Sequence, residues 1–472
     1  MKRLPLLSIV LTVVLLAALA GPAVAQAPIP TATTWTSAIA YYNPGAAGDL
    51  FITYYKADGT VAFESDTISI AEHGSGTLLI GDLDTRDPNF AGSAVISSGV
   101  PLVAVYKQMP GGSNKDYSPV FYSAFSADQA GSTFYLPTWV RFAASYTQLG
   151  IQNLEDSAIT ATITLMNTAG TTKGPFNFDI PAGGNKLVTY LDLTGVTTPF
   201  DGSAVVTAVM QGTSDPAEIV VAAQDLYTTG RRAYAYEGVA AGANELFMPS
   251  AMCNWSTTKQ TSYYAIQNAG TDSTKAIFAE FYTDAGKLIV RYKMTKTLAP
   301  GQKVSLNPCS ARAMAGKSGT AKIYATTTTV YDGPPVPIAA VGKVQSNDGL
   351  LTAFTGASAG ATETYLPYVR WNSDGENSFI AIQNTTATPA TVSVKYYNPD
   401  GILKATHKIT VPAMGKKNSN PSMVASSLTS GVFVGAVTVE SNQPVVVLVR
   451  TQRKTTITGF KTLGEDYIGI AE

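Results

Sequence analysis

Two histidines, two cysteines, four tryptophans and one acidic loop are the side chains of this 472-residue sequence whose types and spacing could carry chemistry. His73 and His407 are the only candidates for an imidazole base, and neither sits in a nucleophile or zinc motif. Hydrolysis through histidine is therefore not expected. A carboxylate pair acting on a glycosidic bond stays open as an alternative, although such acids need one deep cleft. The loop "DLDTRDPN" brings Asp82, Asp84 and Asp87 close enough in sequence to offer oxygens to a calcium ion. It lacks an EF-hand pattern and carries Arg86, so a solvated loop is the preferred reading. No cofactor is expected.

Cys253 and Cys309 are the only cysteines. In an exported chain they are expected to form one disulfide, and with no histidine nearby they make a poor metal site. Trp35, Trp139, Trp255 and Trp371 are spread one to each quarter of the chain. Each is read in two ways: as a plug at the end of a sandwich, donating its indole N–H to a carbonyl, or as an exposed platform on which a sugar ring stacks.

The elements that must position these residues recur four times. Asn43, Asn153, Asn268 and Asn384 open related segments at separations of 110, 115 and 116 residues. Gly92, Gly202, Gly319 and Gly435, each ahead of an alternating strand, follow their Asn by 49, 49, 51 and 51. Two agreeing rulers establish an internal repeat with the size of a domain. Between them, alternating apolar and polar runs break at Lys56–Gly59, Asn167–Gly170, Thr283–Gly286 and Asn398–Gly401, the signature of hairpins with a left-handed glycine. The ruler Asn is expected to hold a turn through its side chain. A third landmark, Gln108, Gln224, Gln345 and Gln452, closes a Pro-led strand in each unit and is expected to satisfy backbone groups.

Seven or eight strands per unit imply an all-β chain of four tandem antiparallel sandwiches, at 26–127, 128–241, 242–360 and 361–472. These units resemble the immunoglobulin-like β-sandwich repeats of bacterial surface and extracellular proteins, through the Pro-containing first strands ending at Pro137, Pro249 and Pro367 and the Asn, turn and hairpin order. The antibody-type Cys-Trp-Cys arrangement is absent. The resemblance implies adhesion, scaffolding or matrix roles.

Residues 1–25 read as a signal peptide: Lys2 and Arg3, an apolar run from Leu4 to Ala20, and the cleavage pattern Ala23-Val24-Ala25. The mature chain is expected to begin at Gln26, without a lipid-bearing cysteine or a later membrane span. With a net charge of -1 and 14% charged residues there is no electrostatic case for nucleic acid. The expected function is that of a secreted, non-enzymatic structural or adhesive protein, drawn as a four-domain rod. It would associate with itself, with other surface proteins or with polysaccharide, and the segments from Ala27 and from Gly464 would be open to exchange between molecules. The alternatives are a carbohydrate-binding protein using one Trp per repeat, an accessory subunit of a surface complex, and a glycan-active enzyme.

Overall fold

The computed structural model describes residues 9–12, 34–79, 90–111, 118–227, 232–428, 431–455 and 461–471. They form an all-β fold of several antiparallel sheets, with helical turns confined to short 3-10 segments. The second quarter shows the plan. A lead strand (Thr133–Phe142) turns into the Asn strand (Ser145–Asn153), followed by two hairpin strands (Ile159–Asn167, Thr172–Ile180) and a short strand (Asn185–Val188). A Gly strand (Phe200–Met210), a Gln strand (Ile219–Tyr227) and a closing strand (Ala233–Glu237) complete it. The lead strand, Gly strand and both hairpin strands make one layer, in the order hairpin, hairpin, Gly, lead. Short, Asn, Gln and closing strands make the other. Alternation does the rest: along Ile159–Asn167 every second residue from Ile159 to Leu165 is buried, which presses the two layers together as a β-sandwich.

The same pairing order recurs in the other quarters. In the first, the place of the lead strand is held by Ile9–Thr12, which runs antiparallel to Gly92–Ser98. The expected cleavage site at Ala23–Ala25 lies outside the described residues.

Both sequence rulers have a physical basis. The four ruler Asn are fully buried. In each, the side-chain amide donates to two or more loop carbonyls while its oxygen accepts a backbone N–H two residues on; Asn268 donates to Asp272 and Leu298 and accepts from Gly270. Asn43, Asn153 and Asn384 repeat the pattern. The ruler glycines lie beside the opening of the hairpin turn, where a Cβ would come within 2.0 Å of the Tyr55 carbonyl oxygen, 2.3 Å of Met166, 1.8 Å of Tyr282 and 1.9 Å of Tyr397. No other residue fits so close an approach.

The quarters do not string out as a rod, and that expectation is corrected by how the hairpin turns pack. Each turn seats on the loop before the next quarter's short strand. Ala57 O accepts from Asn185 N at 3.2 Å, Thr168 O from the Gln302 amide at 3.0 Å and Asp284 O from Lys416 N at 3.0 Å. The fourth turn then seats on the first quarter, where Pro399 O accepts from Ser75 N at 3.0 Å. A head-to-tail contact repeated around a rotation that closes gives a ring. At its centre the closing strands Val120–Ser123, Ala233–Glu237, Leu351–Thr355 and Thr462–Ile468 pack in cyclic order. Side chains bind them around the circle. Ser123 N donates to the Glu237 carboxylate, Thr355 Oγ1 donates to Glu237 at 2.8 Å, and Thr352 Oγ1 donates to Asp466 at 2.8 Å. Ser123 Oγ donates to Ile468 O at 3.0 Å and completes the circle. The C-terminal tail is built into this arrangement, because Thr462–Ile468 pairs with the fourth Gln strand and Ile470–Ala471 with the fourth lead strand.

Candidate functional site

One structural position holds a different polar side chain in each quarter, and in all four it lies where quarters meet. Register in the Asn–Gln strand pairs makes Lys107, Gln224, Lys343 and Arg450 equivalent, since they face Ala38, Gln148, Tyr263 and Phe379, each five residues ahead of its ruler Asn. All four work at the junctions. Lys107 Nζ reaches the fourth quarter, at 2.6 Å from Glu376 and 3.0 Å from the Tyr368 hydroxyl. Gln224 donates to Gln108 of the first quarter at 2.9 Å. Lys343 donates to Asp225 at 3.3 Å and to Thr138 at 3.1 Å, both in the second quarter, and contacts the Tyr234 hydroxyl. Arg450 grips Asp466 with two bonds of 2.7 and 2.6 Å, and Asp466 holds Thr352 of the third quarter.

The junction of the fourth and first quarters is the most heavily charged of these sites in its interior. Glu465 lies 3.7 Å from Lys107, so one ammonium serves two carboxylates, and all three side chains are buried. Glu465 Oε2 has no hydrogen-bond partner. Burial, offset in part by Lys107 and reinforced by the Glu376 charge, pushes the Glu465 carboxyl up to about 8. Burial acts on Glu376 too, but there the direct ion pair with Lys107 prevails and holds the carboxyl below its ordinary value. Burial alone would lower Lys107; its acidic and phenolic neighbours raise it instead. In the second–third junction burial prevails and Lys343 is lowered despite Asp225.

The candidates from the sequence are dispersed. Cys253 and Cys309 are joined in one disulfide. Asp82, Asp84 and Asp87 lie outside the described residues. Among the described residues, no group of three or more His, Cys, Asp or Glu side chains stands close enough to hold a metal ion, and no helix is long and apolar enough to cross a membrane. His407 shares a hydrogen bond of 2.8 Å with Ser419, while His73 lies 3.2 Å from the Tyr42 hydroxyl, 31 residues away in sequence. The tryptophans occupy four different settings. Trp139 is 0% exposed and meets Phe200 edge-on at 5.2 Å. Trp255 is 42% exposed, in the connection between its quarter's lead and Asn strands. Trp371 is half-buried near the end of a lead strand, against Phe379 at 5.7 Å, and Trp35 is half-buried near the start of an Asn strand.

The Gln landmark does not survive as an equivalent position. Gln108 faces Ser37, Gln224 faces Gln148, Gln345 faces Thr261 and Gln452 faces Asn377, which are six, five, seven and seven residues ahead of the ruler Asn. The strand pairs themselves are unbroken, and the glutamines stand at different positions along them; Gln224 and Gln345 bond side chains rather than backbone. Sequence reasoning also passed over the residue just before each ruler Asn. Tyr42 shares a bond of 2.7 Å with Thr438 of the fourth quarter, Gln267 donates to Ala204 O of the second, and Gln383 to Ala321 O of the third. The recurrent "QN" was the available signal. A further pattern is visible only in three dimensions: Phe142, 41% exposed, ends the second lead strand, and Phe379, 36% exposed, lies in the first half of the fourth Asn strand, near the connection that carries Trp255 in the third quarter.

No family model matches the chain, and no curated protein matches it. Among solved structures, Thermotoga maritima 1070 is similar at 16% identity and a TM-score of 0.20, over 24% of this chain and 96% of that one. The Anabaena sensory rhodopsin transducer is similar at 20% identity and a TM-score of 0.16, over 19% of this chain and 90% of that one. A Streptomyces avermitilis α-L-rhamnosidase is similar at 11% identity and a TM-score of 0.15, over 88% of this chain and 54% of that one. No role is taken from likenesses this slight.

Proposed function

We propose that this chain is an exported, non-enzymatic structural and adhesive protein of the cell surface or extracellular matrix, made of four immunoglobulin-like repeats after a signal peptide whose removal takes Ile9–Thr12 from its pairing with Gly92–Ser98 and leaves that strand edge open. The observation that carries this reading is the use made of the polar side chains. The buried charges and amides at equivalent positions hold the repeats to one another, and in the second, third and fourth quarters an exposed aromatic ring, Phe142, Trp255 or Phe379, stands at or near the connection between lead and Asn strands. A rigid body that repeats one surface feature gains avidity from weak contacts, because the second contact forms at high effective concentration.

A second reading, carbohydrate binding, is favoured by Trp255. Its exposed indole stands among Asn254, Ser256, Thr258, Lys259 and Gln260, a polar setting in which a pyranose can stack and find hydrogen-bond partners. The experiment for both is binding of the purified chain to immobilised envelope fractions and to a polysaccharide panel, with Trp255→Ala alongside. Retention on envelope material supports the adhesive role, and loss of polysaccharide retention in the variant assigns it to Trp255. A chain retained on none of these surfaces overturns the proposal.

A further inference from the structure

Three of the four junctions join quarters that are consecutive in the chain. The fourth, between the last quarter and the first, has no such link: strands, loops and side chains hold it, and Ala40, Val105 and Phe121 of the first quarter pack into the fourth quarter's core. Its contacts are extensive. Pro399 O accepts from Ser75 N, Tyr42 bonds Thr438, Ser123 bonds Ile468 O, and Tyr42, Val103, Tyr365, Tyr397 and Ala436 form a small apolar core of their own. Arg370 reaches Thr77 at the margin.

At the heart of this junction lies the three-member cluster of Lys107, Glu376 and Glu465. Lys107 comes from the first quarter's Gln strand (Val103–Gly111), Glu376 from the fourth quarter's Asn strand (Glu376–Asn384) and Glu465 from its closing strand. Tyr368 on the lead strand (Ala361–Ser373) donates to Glu376 at 2.5 Å, and its ring lies 4.7 Å beneath the Lys107 ammonium, with Arg370 on the same ring at 4.2 Å. Phe121 of the first quarter packs its ring 4.9 Å from that ammonium. From the long strand Phe433–Lys454, Arg453 adds positive potential to both carboxylates, while Arg450 is engaged by Asp466. Fully ionised, two carboxylates share one buried ammonium, and that excess charge is confined to the junction without a peptide link.

We propose that the fourth–first junction is the opening point of the ring, and that the two faces it releases bind the matching faces of a second copy of this chain. The partner follows from the geometry. The released turn Asn398–Gly401 fits the Ala71–Ser75 loop, and a heterologous contact that cannot close within one chain closes between chains or propagates. Acid and base act on it in opposite senses. The raised Glu465 carboxyl contributes closure that is fully present below the ordinary glutamate range and is lost as pH rises through about 8. Glu376 acts conversely, its closure being lost as pH falls through its lowered value.

Light scattering and small-angle X-ray scattering on the full chain, from pH 6 to 9.5 over a hundredfold range of concentration, test this. The expected result is a one-chain mass at pH 6 and, at pH 9, a mass of two or more chains rising with concentration, with the far-UV circular dichroism unchanged. Glu465→Gln is expected to keep the one-chain mass at pH 9, and Lys107→Met to give the multi-chain mass already at pH 6. Mass and radius constant across the pH range, or Glu465→Gln associating as the parent does, would overturn the proposal.

Discussion

The imidazole of His73 stacks on the phenol ring of Tyr397 with their centroids 4.4 Å apart, which puts the receiving loop of the first quarter against the hairpin of the fourth. His73 has a left-handed backbone, φ 56°, in the loop that accepts Ser75's partner turn. One of only two imidazoles in the sequence is thus spent on closing the ring.

Turn glycines report how much the docking contributes. Gly286 has φ +79° and a Cβ there would lie 2.0 Å from Ala413 O, whereas Gly212, at φ +81°, has nothing within 4 Å. Gly212→Ala is expected to cost about 1 kcal/mol, the left-handed strain alone. Gly286→Ala adds a backbone clash and is expected to cost about 3 kcal/mol. Urea denaturation of the two variants makes the comparison, and equal costs would show that the turn does not bear on the next quarter.

The ruler Asn is expected to be irreplaceable by its closest relative. Asn268→Asp keeps the acceptor for Gly270 N but removes the donors to Asp272 O and Leu298 O and faces a buried carboxylate with two carbonyls. The loss is expected to be about 2–3 kcal/mol and no smaller than for Asn268→Ala. A milder effect of Asp in denaturant titrations would count against the donor role.

Replacing both cysteines by serine releases a bridge between residues 56 apart in sequence, worth about 4 kcal/mol in the chain-entropy model. Hydrogen exchange is expected to quicken within the third quarter and to stay slow in the other three, which fold without a bridge. Faster exchange throughout the molecule would instead make the disulfide a support of the ring.

Two tryptophans are expected to separate cleanly. Trp139→Ala empties a fully buried site against Phe200 and is expected to cost about 3–5 kcal/mol. Trp255→Ala is expected to change stability by about 0.5 kcal/mol or less, as exposed positions do. Thermal melts of the pair decide whether Trp255 is free to serve a surface role.

Legibility followed chain locality. Hairpins at Lys56–Gly59 or Thr283–Gly286 could be read because a turn writes its own residues, and the ruler Asn and Gly could be read because each meets a requirement of its own loop or strand. The ring could not. Its docking contacts use carbonyls such as Ala57 O and Asp284 O, which every residue type supplies, so no side-chain pattern announces them. The Gln landmark misled because a difference of one or two positions along a strand is invisible without register. One Trp per quarter does not mean one setting: Trp35 belongs to an Asn strand, while Trp139 and Trp371 belong to lead strands. Lys107, Glu376 and Glu465 were hidden as ordinary surface-type charges in three separate elements.

Carrying four repeats on one polypeptide releases the junctions from having to be alike. A ring assembled from four identical chains must place the same residue at every equivalent point, so a lysine facing a glutamate would appear four times or not at all. Here a single structural position holds Lys107, Gln224, Lys343 and Arg450, each matched to a different counterpart. Each junction is therefore individually addressed: a repeat that paired out of turn would meet the wrong counterpart, and the order of the quarters around the circle is written into the sequence.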